Sequence, residues 1–149
     1  MEDSKQVISP QQAEERVAAR YRVFLMLWIA MLTSMGVLFA VSIFIPGSGT
    51  ANETFSFALL GTAFVTVVAS LFIKQQMVKK AIDQQQVAVL MNAYIISFAL
   101  SESAALFGVL DHFVSGSRYY RFSFIMAALG MLLHFPKKDQ VRAASFKQF

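Results

Sequence analysis

The sequence contains no cysteine. Disulfide frameworks, thiolate metal sites and cysteine nucleophiles are excluded together. Proline and glycine are scarce, with three and seven residues among 149. So few turn formers argue against a β-barrel, whose strands alternate apolar with polar residues and are broken by frequent turns. Charge is thin as well: 15% of residues are Asp, Glu, Lys or Arg, where soluble chains average about 25%. Apolar residues take the remaining space. The chain is 56% hydrophobic, with fifteen Phe and a mean hydropathy of +0.55, more than one small soluble core can hide. These features predict an all-α integral membrane protein.

The polar opening, residues 1–22, reads as a helical lead-in. Ser9 caps, Pro10 takes the first helical position and Gln12 completes a capping box. The first apolar run is long enough to span, so it is expected to be retained rather than cleaved as a signal peptide. Four spans are predicted within residues 23–136, at about 24–45, 55–73, 87–110 and 120–135. The first holds about twenty-two uncharged residues, roughly 33 Å at 1.5 Å each, against a hydrocarbon core of roughly 30 Å. Pro46-Gly47-Ser48-Gly49 ends it. Residues 74–86 read as a polar turn and Asp111–Arg121 as a loop. The fourth apolar run, Phe122 to Phe135, is short, and Tyr119, Tyr120 and Arg121 are expected to lengthen it at the interface.

Orientation follows from the basic residues. Under four spans only Arg118 and Arg121 fall on one side, and the other Lys and Arg, from Lys5 to Lys147, share the opposite one. The positive-inside rule makes the basic side cytoplasmic. Both termini are therefore expected inside, with residues 137–149 as a basic tail, in the cytoplasmic (inner) cell membrane. The same distribution accounts for the net charge of +4 without nucleic acid.

Glu102 is the one charge within the third run. A charged group inside a bilayer costs at least about 2.5–3.5 kcal/mol and usually marks a functional site. Loss of water disfavours its ionised form unless a cation or hydrogen bonds support it, so a bound proton or Na+ is the ligand expected. No other cofactor and no metal centre is expected. Ser101 and Ser103 flank the carboxyl. Ala93, Ser97 and Ala105 continue a small-residue stripe, and the second run carries Ala58, Thr62, Thr66 and Ser70 at every fourth place, a spacing that lets membrane helices approach closely. In an antiparallel hairpin Ala58 would lie level with Glu102, which would lean towards the Thr62 hydroxyl. Asp111-His112 and His134 read as ordinary polar residues near the two surfaces, and Tyr94 as a helix–helix hydrogen-bonding residue.

The segment Ala81 to Leu110 resembles subunit c, the rotor-ring proteolipid of rotary ATP synthases. The resemblance rests on Ala99-Leu100-Ser101-Glu102-Ser103-Ala104-Ala105-Leu106-Phe107-Gly108, after a basic-polar loop. It implies that Glu102 is the ion-carrying carboxylate, with Ser103 where sodium-type members place a hydroxyl. The sequence departs from that family in having Gly61 as the single glycine of the preceding run, Asp83-Gln84-Gln85 in the loop, and two further helices. Three function classes follow. The first is a proteolipid-like protein binding or translocating a proton or small cation in a homo-oligomer or larger complex. The second is a structural or assembly subunit of a membrane complex, and the third a small independent transporter. An enzyme is not expected: there is no Gly-rich phosphate loop and no Ser-His-Asp set that the sequence places together.

Overall fold

Helix α1 (Pro10–Phe44) starts as its capping signals dictate. In the computed structural model, which describes residues 9–50 and 52–145, the Ser9 hydroxyl accepts from the Gln12 amide and the Gln12 side chain accepts from the Ser9 amide. Residues 1–8 and 146–149 of the lead-in and tail, with Lys5 and Lys147, lie outside the described residues. Four more helices follow: α2 (Glu53–Gln84), α3 (Val87–Ser115), α4 (Tyr120–Leu133) and α5 (Lys138–Ser145). There is no strand among the described residues. The first three helices are long and apolar enough to cross a membrane.

Two segments read as loops are helical. Residues 74–84 continue α2, because Lys, Gln, Met and Ala are good helix formers and no breaker intervenes before Gln85. That residue adopts the left-handed conformation, φ 52°, and closes the turn into α3. Asp111–Ser115 likewise continue α3 up to Gly116, φ 58°. The Pro46–Thr50 segment backs onto this end of α3: a Cβ on Gly47 would collide with the His112 carbonyl, and one on Gly49 with that of Val114. Glycine is required there by close approach of two backbones.

Helix α3 lies at the centre and packs against all four others, most extensively against the antiparallel α2. Helix α4 fills the groove between α2 and α3 and touches α1, whereas α1 and α2 share no contact among the described residues. The tail is a short helix rather than a loose end. Val141 and Ala144 of α5 are buried, Glu14 pairs with Arg142 at 2.7 Å and Lys138 at 3.6 Å, and Arg20 donates to the Ser145 hydroxyl.

Candidate functional site

Three of the polar side chains on helix α3, Tyr94, Glu102 and Asp111, stand at three heights, and each ties it to different neighbours. At the end nearest the termini, the Tyr94 hydroxyl donates to Gln140 Oε1 at 2.6 Å and accepts the Lys137 amide at 3.1 Å. Its ring meets Phe24 edge-on and carries Lys74 Nζ 4.4 Å from the centroid. At the far end Asp111 is buried, with only 2% of its surface exposed. It accepts from Ser56 of α2 at 2.5 Å and from Ser115 one turn on. The rise between these levels is roughly 26 Å, and Glu102 stands about midway.

The Tyr94 level coincides with the first uncharged stretch of α1 at Phe24, the first charge after the second run at Lys74, and the basic stop at Lys137. The Asp111 level adjoins the ends of α1 and α4, through His112 Nε2 against the Ile45 carbonyl at 2.8 Å and the His112 ring against Tyr120. Helix α4 itself has only 14 residues, roughly 21 Å. The extension His134–Lys137 carries the chain onward to the Tyr94 level, so the segment from Tyr120 to Lys137 runs between the same two heights as the longer helices.

Glu102 is half-buried in the seam between α3 and α1. Its Oε1 accepts the Ser34 hydroxyl at 2.6 Å. Its other oxygen has no partner among the described residues and is not enclosed. The expectation of a Thr62 contact is corrected. Ser56 lies opposite Asp111 and Lys74 opposite Tyr94, a register that sets Glu102 level with Thr66 rather than Ala58. Thr62 is exposed and donates to the Ala58 carbonyl of its own helix. It is also on the wrong side of α3, because α1 and α2 occupy different faces of that helix. Glu102 stands near the middle of the rise between the Tyr94 and Asp111 levels.

The flanking serines do not converge on the carboxyl. Ser103 donates to the Ala99 carbonyl of its own turn. Ser101 is fully buried with no hydrogen-bond partner, facing α4, where a Cβ on Gly130 would lie 3.0 Å from its oxygen. Successive helical residues point about 100° apart, so the residues on either side of Glu102 look elsewhere.

On α3 the small residues Ala93, Ser97 and Ala105 are buried, as is Ser101. The small-residue stripe expected on α2 is corrected. Ala58 and Thr62 are exposed and Thr66 half-buried, whereas Ser56, Ala63, Val67 and Ser70 form the buried face. Ser70 alone belongs to both sets. Its hydroxyl donates to the Val67 carbonyl at 2.6 Å and contacts His134 Nε2 at 2.7 Å. The buried Nδ1 of His134 has no partner among the described residues.

Sequence reasoning missed Ser34 and the Asp111–Ser56–Ser115 cluster. The adjacent Thr33 and Ser34 amid an uncharged run were the available signal for the first. Asp111 gave none, since it follows directly on the last apolar residue and looks like a loop residue. Among the described residues no group of three His, Asp or Glu is placed to hold a metal ion. No protein family, curated protein or solved structure matches the chain.

Proposed function

We propose that the chain is a four-span membrane protein with both termini inside, and that Glu102 is a proton-binding carboxyl at mid-depth, working in a homo-oligomer or a larger complex. The observation that carries this reading is the Ser34–Glu102 contact. One carboxyl oxygen is held by a hydroxyl of a neighbouring helix, and the other has no partner among the described residues and is not fully enclosed. The resemblance of Ala99–Gly108 to the rotor-ring helix of subunit c points the same way. A proton suits the site better than a metal cation, since hard cations require several converging oxygens and Ser101, Ser103 and Thr62 turn away.

The assembly-subunit reading draws on the same open oxygen, which would accept a donor from a neighbouring protein. A carbodiimide, which reacts with a protonated carboxyl, separates the two in native membranes. Proton binding predicts labelling at Glu102 that declines as pH rises and is absent in Glu102→Gln. A carboxyl occupied by a partner stays unlabelled at every pH until the complex is dissociated, and that result would overturn the proton reading. Topology is tested separately. With no native cysteine, single cysteines at Ser48 and Ser145 are expected to react with impermeant maleimide from outside and from inside, respectively. Labelling of both from one side would exclude the four-span arrangement.

A further inference from the structure

A pocket of about 400 Å³ opens beside the Tyr94 level, between α2 and the junction of α4 with α5. Lys74, Lys79 and Lys137 line it together with Gln140, above an apolar floor that includes Leu71 and Leu133. No carboxylate lines it. Among the described residues the only ion pairs are those of Glu14 with Lys138 and Arg142, so three cations converge here without an anion. Lys74 is 8% exposed, and a largely desolvated ammonium without a counter-charge is costly.

The polar groups are also organised. The Tyr94 ring supports Lys74, and its hydroxyl holds both the Lys137 backbone and the Gln140 side chain. Because Gln140 Oε1 accepts from Tyr94, its NH2 group is left to donate. One buried tyrosine therefore fixes three members of the pocket wall. Leu71 is half-buried and Leu133 exposed on the apolar side of the lysines, so charge and an apolar surface meet at one site. Basic pockets between membrane helices suit anionic head groups for this reason.

We propose that this pocket binds the phosphate of an anionic glycerophospholipid, held by Lys74, Lys137 and Gln140, with its acyl chains along Leu71 and Leu133. The proposal rests on the membrane reading above. Its test uses the full chain in nanodiscs of phosphatidylcholine with increasing phosphatidylglycerol, and native mass spectrometry counts the lipids retained.

Wild type is expected to retain phosphatidylglycerol over phosphatidylcholine. Lys74→Gln and Lys137→Gln should each weaken that retention by about fivefold. Lys138→Gln removes an equal charge at a residue paired with Glu14 outside the pocket, and should change little. Tyr94→Phe keeps the ring but loses both hydroxyl contacts, and should weaken retention while leaving helical content unchanged. Lys137 is exposed, so its variant stays informative if Lys74→Gln does not fold. Equal retention of the two lipids, or an equal loss from Lys138→Gln, would overturn the proposal. So would stabilisation by inorganic phosphate in pure phosphatidylcholine, which would identify a free anion instead of a lipid. Failure to insert into nanodiscs would remove the membrane reading and this proposal together, whereas insertion without lipid preference removes this proposal alone.

Discussion

The Ser34 hydroxyl lies 2.6 Å from Glu102 Oε1 and joins α1 to α3, midway between the Tyr94 and Asp111 levels. Away from this contact the seam is built largely of apolar residues such as Phe24 and Phe98, so the pair combines binding of α1 with positioning of the carboxyl. Ser34→Ala is expected to destabilise the bundle by about 1 kcal/mol, the usual scale of a hydrogen bond between membrane helices, and Ser34→Thr to retain most of it. Reversible unfolding in detergent is the measurement. A loss in Ser34→Ala that persists in a Glu102→Ala background, where no acceptor is left, would show that the two side chains are not coupled.

Asp111 should prove more sensitive than Glu102. It is buried and bound by two serines, whereas Glu102 has one partner and an open oxygen. Asp111→Ala removes the buried acceptor the two serines share, leaving Ser115 its bond to the Asp111 backbone carbonyl and Ser56 its contact with Ser115, and is expected to cost about 1–3 kcal/mol. Ser56→Ala should cost less, because Ser115 still donates. A double-mutant cycle between Ser56 and Asp111 is expected to give a coupling of roughly 0.5–3 kcal/mol; additivity there would refute the contact.

The glycines divide by environment. Gly49→Ala places a Cβ against the Val114 carbonyl and should displace the Pro46–Thr50 segment, with lower thermal stability. Gly36 and Gly61 lie within α1 and α2 with nothing within 4 Å of an added Cβ. Gly36→Ala and Gly61→Ala should be neutral or stabilising by up to about 1 kcal/mol, following helix propensity. Thermal melts of the three variants in one detergent test the order.

Acid should loosen α5. The Arg142 guanidinium, aided by Lys138, holds the Glu14 carboxyl below the usual carboxylate value. A carboxyl with a lower value folded than unfolded contributes stability that is fully present above its unfolded value. That contribution is lost as pH falls through the folded one. The contribution of this ion pair to docking of α5 is therefore fully present at neutral pH and is lost on acidification below the ordinary carboxylate range. Amide exchange in Lys138–Ser145 should rise across that window, and Glu14→Gln should flatten the dependence. Since the pair is exposed, added salt should weaken docking as well.

Long helices, their apolar character and the start of α1 at Ser9-Pro10 were legible in the residues alone, because length, hydropathy and capping are properties of local sequence. Glu102 stood out for the same reason: one carboxyl in an apolar run is conspicuous wherever its helix packs. The small stripe of α3 was also visible, since that helix is enclosed by neighbours and its buried face is dictated by size. The partners were decided by tertiary structure. Ser34 and Thr62 are both hydroxyls on apolar helices, and only the placement of α1 and α2 on different faces of α3 selects Ser34. The two-residue turn at Gln85-Gln86 sets the register that brings Lys74 to Tyr94 and Ser56 to Asp111, and a shift of a few residues would have separated both pairs. Side-chain chemistry therefore marked which groups are costly to bury, while helix register and packing order determined which group meets each of them.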